Sequence, residues 1–176
     1  TFIFSYKIYV TSKESFSFIP KRYQNKTRVL PAIFCNKTQF KIKNLKKKRK
    51  NIFFSGRLVE WKGVHLLKDI FLKVNKFDKS IKLNIYGDGY LAKDLKLFFK
   101  NKKLQNKVSI FSHLPRKKFL KKIKSNDLLI FPTFRDSGGY VLVETLLKGV
   151  NIITTGAGGP NTIIKTKANL VKIRNN

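Results

Sequence analysis

The sequence predicts an α/β fold in which a parallel sheet carries helices on both of its faces. Two observations support this prediction. From residue 51 onward, short apolar runs alternate with segments of helical periodicity, and a glycine-bearing turn follows most of the runs. Because ligands of such sheets bind beyond the carboxyl ends of the strands, these turns mark the edge where a site is expected. The predicted strands are residues 52–54, 81–86, 108–111, 128–131 and 152–154, with a last one at 170–173.

The predicted helices lie between these strands, and each is recognised by apolar residues that recur at helical spacing. The fourth helix begins at Tyr140, directly after a pair of glycines. In chain order, the apolar faces consist of Val64, Leu67, Phe71 and Val74; Leu91, Leu95, Phe98 and Phe99; Phe119, Leu120 and Ile123; and Val143, Leu146, Leu147 and Val150.

Residues 1–50 lack this regular alternation. Residues 2–10 are apolar and rich in β-forming types, Thr11 or Ser12 is a candidate helix cap, and residues 28–33 resemble a short extended piece. A lysine-rich run follows at residues 41–50. We interpret 1–50 as the remnant of an N-terminal domain with a basic linker, and 51–176 as a ligand-binding domain. The absence of methionine and the apolar start favour a fragment of a longer protein.

The net charge of +30 is the strongest feature of the composition. Such a charge attracts nucleic acid or anionic lipid. Lysine is nevertheless spread over every predicted solvent face, and no basic stripe is interleaved with aromatic residues as single-strand binders require. We therefore favour a compositional bias, keep weak attachment to an anionic membrane as the main alternative, and do not expect nucleic acid as a partner.

The remaining composition points to the cytoplasm, at most at the inner face of the cell membrane. The single Cys35 excludes an internal disulfide and suits a reducing compartment. No apolar stretch approaches the roughly 20 residues that cross a bilayer, and the N-terminus lacks a signal-peptide pattern. His65 and His113 are too isolated in sequence for a metal site, so we expect structural roles for them and no metal.

The segment 131–150 carries the best candidate site. Asp136, Ser137, Gly138 and Gly139 stand between a predicted buried strand and the helix that begins at Tyr140. Glycines let the backbone approach a ligand, and the free N–H groups of a helix start favour an anion. A glycine pair also turns corners in many folds, but three other glycine-bearing turns lie on the same predicted edge. This segment therefore predicts a phosphate site.

Two cations and one further acid are predicted to complete that site. Arg57 and Lys62 lie near Gly63 after the first strand, and an arginine fork with a lysine point charge suits a diphosphate. Glu144, eight residues after Asp136, can point into the same cleft and accept hydrogen bonds from ribose hydroxyls. The glycine turns do not match a phosphate loop or a Gly-x-Gly-x-x-Gly dinucleotide fingerprint after the first strand, and no Ser-His-Asp set is present.

Four ordered motifs resemble the donor domain of GT-B glycosyltransferases, in the family 4 retaining group that is also called glycosyl transferases group 1. The motifs are residues 55–64, 85–89, 136–144 and 158–160, and the likeness covers about residues 51–173. The resemblance implies a nucleotide-diphosphate-sugar donor held between two Rossmann-like domains. Residues 51–176 would be the second domain, truncated at its C-terminal end, and residues 1–50 the remnant of the acceptor domain with its linker.

The resemblance also implies roles for single residues. Arg57 and Lys62 look like the basic pair that binds the diphosphate and stabilises the leaving group. Asp136 and Glu144 match the two acids of the Glu-x7-Glu motif, the first contacting the transferred sugar and the second the ribose. The implied catalytic residues are Arg57, Lys62 and Asp136, and the implied donor-binding residues are Gly56, Gly138, Gly139, Tyr140 and Glu144.

The sequence departs from the family pattern at three positions, of which Asp136 and His113 bear on the site and Asn151 is expected to have no consequence. Asp136 is one methylene shorter than the usual glutamate, and Asn151 replaces a frequent proline. His113 stands where the family often has glycine, which would crowd the nucleobase region bordered by residues 87–89 and 113–114.

The implied function is retaining sugar transfer from a nucleotide-diphosphate-sugar to a sugar or lipid-linked acceptor, without a cofactor. We expect it to serve surface polysaccharide, lipopolysaccharide or glycolipid synthesis. Because the acceptor domain is nearly absent, the fragment is expected to bind the donor and to be a poor catalyst. The alternatives are a basic module that binds nucleic acid or an anionic membrane, and an inactive truncated product.

Overall fold

In the computed structural model, the described residues are 2–30, 51–136 and 139–155. The first range forms two short strands and two short helices, and its strands pair in parallel from Ile8↔Thr27 to Val10↔Val29. Of the two cap candidates, the structure selects Ser12, whose hydroxyl oxygen accepts a hydrogen bond from the Ser15 N–H at 3.0 Å. The elements are β1 (Ile8–Val10), α1 (Lys13–Ser17), α2 (Lys21–Gln24) and β2 (Thr27–Val29).

Residues 51–155 contain the α/β alternation that the sequence predicts. Their first strand leads through a 3₁₀ turn at Glu60–Lys62 into the first long helix. The elements are β3 (Asn51–Ser55), α3 (Leu66–Phe77), β4 (Lys82–Tyr86), α4 (Ala92–Asn101), β5 (Val108–Phe111), α5 (Arg116–Lys122), β6 (Leu128–Phe131), α6 (Tyr140–Leu147) and β7 (Asn151–Thr154).

The five strands of these residues form one parallel sheet in the order β5-β4-β3-β6-β7. The chain moves outward from β3 through β4 to β5 and then returns to the other side of β3 for β6. The strand order therefore reverses between β3 and β6, which is where open parallel sheets form a ligand crevice. This topology confirms the predicted fold class.

Helices cover both faces of the sheet because neighbouring strand residues point to opposite faces. Along β3, Ile52 and Phe54 belong to the hydrophobic cluster that α3 and α4 complete, whereas Phe53 belongs to the cluster of α5 and α6. All four residues of β6 are buried. A strand buried on both faces has an unbroken apolar sequence, which is the pattern seen from Leu128 to Phe131.

Several sequence predictions lie outside the described residues. They are the lysine run at 41–50, the glycine turn at 156–160, the strand at 170–173 and Gly138. The division of the chain at residue 50 stays a prediction. Among the helices of the described ranges, none has the length and apolarity that crossing a bilayer demands.

Helix α3 offers a matched pair of phenylalanines that tests the packing. Phe71 is fully buried and meets the Phe99 ring edge-on at 6.0 Å, whereas Phe77 is 93% exposed at the end of the same helix. We expect Phe71→Ala to lower the free energy of unfolding by about 3–5 kcal/mol because it leaves a cavity, and Phe77→Ala to change it by less than about 0.5 kcal/mol. Urea denaturation measures both, and equal losses would contradict this packing.

Candidate active site

A cavity of about 600 Å³ opens at the carboxyl edge of the sheet, where the strand order reverses. Its walls come from the loops after β3, β4, β5 and β6 and from the first turns of α6. The structure brings together every predicted site residue that lies in the described ranges. These cavity-lining residues are Gly56, Arg57, Lys62, Asp136, Gly139, Tyr140 and Glu144.

The loop after β3 packs directly on the residues after β6. Gly63 has a left-handed conformation with φ of 66°, and a Cβ atom built there would lie 2.0 Å from the carbonyl oxygen of Pro132. Two hydrogen bonds reinforce this contact, because the carbonyl oxygen of Trp61 accepts from the Phe134 N–H at 2.9 Å and from the Thr133 hydroxyl at 3.2 Å. These contacts hold Lys62 beside the loop that carries Asp136.

Lys62 and Asp136 form an ion pair inside the cavity. Their side chains are 13% and 11% exposed, so water screens the pair less than it would on an open surface. The Asp136 Oδ2 atom meets the Lys62 ammonium, and its Oδ1 atom accepts from the Gly139 N–H at 3.0 Å. Asp136 therefore contacts both a cation and an amide that the sequence analysis assigned to a phosphate.

Arg57 lines the same cavity and lies over the indole ring of Trp61, with its guanidinium carbon 5.5 Å from the ring centroid. A cation over an aromatic face at this distance gains electrostatic attraction and loses some side-chain freedom. The 3₁₀ turn at Glu60–Lys62 thus orients both predicted cations. It positions Lys62 through the backbone hydrogen bonds of the turn, and Arg57 through the indole ring of Trp61. This role of Trp61 was not predicted from the sequence.

Glu144 forms a second ion pair in the cavity, with Arg116. The Glu144 side chain is 13% exposed and lies within α6, whereas the Arg116 side chain is 73% exposed at the first position of α5. The contact between Arg116 and Glu144 was not predicted from the sequence. The usable signal was its position shortly after β5, at the same edge of the sheet as the other candidates.

Another part of the cavity wall is formed by the loops after β4 and β5. The lining residues of this part are Gly87, Asp88, His113 and Leu114, and their assignment to a nucleobase stays a prediction. The His113 N–H donates to the Asp88 carboxylate at 2.7 Å, which joins the two loops. His113 was expected to have a structural role, and its lining position is consistent with the predicted crowding of this part of the cavity.

His65 lies elsewhere, immediately before α3, and does not line the cavity. Its ring stacks on the Phe134 ring with centroids 5.9 Å apart. Across residues 2–30, 51–136 and 139–155, no three His, Cys, Asp or Glu side chains come together as a metal site requires.

Tyr86 lines the cavity and is held there by contacts of its aromatic ring. Its ring stacks on Phe111 at 5.1 Å and meets the edge of Phe119 at 5.4 Å. Burial raises the pKa of the Tyr86 phenol above its ordinary value, and the negative charge of Asp127 raises it further. The phenol therefore stays protonated at physiological pH and keeps its capacity to donate a hydrogen bond.

Residues 36–176 match the family model described as "Glycosyl transferases group 1". The chain belongs to this family. It is 28% identical over 104 residues to the phosphatidylinositol N-acetylglucosaminyltransferase GPI3 subunit of Saccharomyces cerevisiae, a match of 59% of the chain and 23% of that protein. The family match confirms the resemblance on which the sequence analysis relied.

Solved structures show the same GT-B fold in proteins that are longer than this family member. A TarM from S. aureus in complex with UDP matches with a TM-score of 0.75 and 20% identity, over 96% of this chain and 34% of that one. HepE of Anabaena in complex with UDP-glucose matches with a TM-score of 0.71 and 18% identity, over 96% of this chain and 50% of that one. The lipopolysaccharide outer core galactosyltransferase WaaB matches with a TM-score of 0.71 and 17% identity, over 96% of this chain and 49% of that one. The chain thus spans from about a third to about half of these structures.

The Gly63 contact gives a testable prediction for this family member. Alanine at position 63 would adopt a left-handed conformation, which costs about 1–2 kcal/mol for an L-residue, and its Cβ atom would overlap Pro132. We expect Gly63→Ala to lower the free energy of unfolding by more than this amount. Lys96→Ala, on the exposed side of α4, is the control and should change it by less than about 0.5 kcal/mol. Equal stability of the two variants in urea denaturation would contradict the contact.

Proposed function

We propose that this chain binds a nucleotide-diphosphate-sugar in the cavity, and that the whole protein transfers the sugar with retention to a sugar or lipid-linked acceptor. The observation that carries the proposal is the convergence of Arg57, Lys62 and the start of α6 on one cavity at the reversal of the strand order. Family membership supports the reaction class.

The charges of the cavity give a physical reason for proposing a diphosphate as the ligand. Lys62 carries a mobile point charge, Arg57 offers a planar fork, and the Gly139 N–H stands at the beginning of α6. In the proposed complex the phosphates displace Asp136 from these partners, because a diphosphate brings more negative charge than one carboxylate. Asp136 then becomes available to the transferred sugar.

The nucleoside is proposed to extend toward the loops after β4 and β5, with the ribose on Glu144. TarM and HepE, two of the structures with the same fold, have been solved in complex with UDP, which makes UDP the first probe.

Catalysis in this proposal rests on charge stabilisation. Arg57 and Lys62 stabilise the negative charge that develops on the departing diphosphate. A fixed cation lowers the energy of this charge more in a cavity than in water. Because the two side chains supply positive charge, we propose that donor binding requires no metal and no other cofactor.

The acceptor is proposed to be a surface polysaccharide, a lipopolysaccharide or a glycolipid precursor, reached at the inner face of the cell membrane. The printed names of similar proteins support this range: one is a phosphatidylinositol N-acetylglucosaminyltransferase subunit and another a lipopolysaccharide galactosyltransferase. This chain alone is proposed to bind the donor with little transfer activity.

The competing function is a basic module that binds nucleic acid or anionic membrane. The net charge of +30 favours it, and so do the exposed aromatic side chains Phe4, Tyr6 and Phe18 in the first described range, of which the Tyr6 ring lies 5.8 Å from the Lys7 ammonium. Side-by-side titrations with UDP-glucose, a 20-nucleotide single strand and anionic vesicles separate the two. The polyanion function predicts steep salt dependence and indifference to Asp136→Asn and Glu144→Gln.

The cation pair gives the main prediction for donor binding. We expect Arg57→Ala and Lys62→Ala each to weaken UDP or GDP binding by about tenfold or more, because each removes a charge-assisted hydrogen bond to phosphate. Lys73→Ala, on the exposed side of α3, is the matched control for a lost positive charge. Isothermal titration calorimetry measures all three, and unchanged affinity in both site variants would overturn the proposed site.

A further inference from the structure

We infer that Arg116 is a positioning residue for Glu144 and that it gives the cavity its preference for a ribose with free hydroxyls. This inference rests on the proposed function, because it concerns the nucleoside part of the same ligand. It goes beyond that function by adding a residue that neither the sequence motifs nor the family resemblance assigned.

The contact joins two separate elements across the cavity. Arg116 Nε donates to Glu144 Oε1, and both residues line the cavity. The two residues are 28 positions apart, so the pair is a tertiary contact between α5 and α6. A nearly buried carboxylate is costly unless it is paired, and Arg116 supplies that pairing from the more exposed side.

The geometry of the pair leaves one carboxylate oxygen for a ligand. A carboxylate has about four acceptor positions on its two oxygens. Arg116 engages Oε1, and among the described residues Oε2 has no hydrogen bond. A glutamate with three rotatable bonds loses freedom when one oxygen is fixed, so the second oxygen is presented in a restricted set of orientations.

The backbone of Arg116 is itself fixed, although its side chain is exposed. Arg116 opens α5 directly after Pro115, and the Pro115 carbonyl oxygen accepts from the Lys118 and Phe119 N–H groups at 2.8 and 3.0 Å. The buried Phe119 ring anchors this first turn against Tyr86 and Phe53. The guanidinium therefore extends from a rigid base toward Glu144.

The consequence is selectivity for the ribose. An acceptor held in place hydrogen-bonds vicinal hydroxyls better than one that samples several rotamers. Removal of the Arg116 side chain should weaken the binding of a ribonucleoside diphosphate and leave the binding of bare pyrophosphate unchanged. The reason is that the phosphates are assigned to Arg57, Lys62 and the start of α6.

The test is calorimetric titration of the full chain with UDP, with 2′,3′-dideoxyuridine diphosphate and with inorganic pyrophosphate, GDP replacing UDP if it binds more tightly. We expect Arg116→Gln to weaken UDP binding by about tenfold. Pyrophosphate affinity should stay unchanged, and the ratio of UDP to dideoxy affinity should fall. Glu144→Gln should give the same loss, and the double variant should lose no more than either single variant. Lys117→Gln, the next residue on α5 and outside the cavity, is the matched control.

Three results for the variants would overturn the inference alone, and a fourth result, for the unaltered chain, would overturn the proposed function as well. Equal losses for UDP and pyrophosphate in Arg116→Gln would make Arg116 a phosphate ligand. Losses that add in the double variant would separate it from Glu144, and behaviour like Lys117→Gln would remove its role. Failure of the unaltered chain to bind any of the probes would overturn the proposed function and this inference with it, whereas normal UDP binding without an Arg116 effect would overturn the inference alone. Thermal unfolding serves as the folding control. If Arg116→Gln and Lys117→Gln unfold at the same midpoint temperature, misfolding is excluded as the cause of a loss in binding.

Discussion

The parallel pairing of β3 with β6 is the constraint on which the site depends. The pairing runs through Ile52↔Leu128 and Phe53↔Leu129, so the two strands end at the same edge although 76 residues separate their ends at Ser55 and Phe131. Parallel strands deliver their following loops to one side. The loop that carries Arg57 and Lys62 therefore faces the loop that carries Asp136, and the Gly63–Pro132 contact fixes their separation.

The second principle of the site is charge compensation across the cavity. Two cations, Lys62 and Arg116, are each paired with a carboxylate from the other side, Asp136 and Glu144. A cavity that carried unpaired charges of one sign would be costly to bury. The carboxylates thus make the arrangement stable, and in the proposed complex the diphosphate takes the place of Asp136. The positive charge of Arg57 is stabilised differently, because its guanidinium lies over the face of the Trp61 indole ring.

Local patterns predicted the elements well because each has a local cause. Strand β5 and the first residue of α6 lie where the sequence placed them, since apolar periodicity and glycine pairs act over a few residues. Site residues could be found from their position after predicted strands. The contacts that organise them could not, because the pairing of Arg116 with Glu144 and the packing of Gly63 on Pro132 join segments far apart in the chain. Of the apolar residues 2–10, which are rich in β-forming types, only Ile8–Val10 form a strand.

The most direct test of the account is the position of both phosphates in a crystal structure of this chain grown with UDP or GDP. The account predicts phosphate oxygens at about 2.7–3.2 Å from Lys62 Nζ, the Arg57 guanidinium and the Gly139 N–H, with Asp136 released from Lys62. Phosphates bound on the lysine-rich outer surface, with the ion pair of Lys62 and Asp136 intact and the cavity without nucleotide, would contradict it.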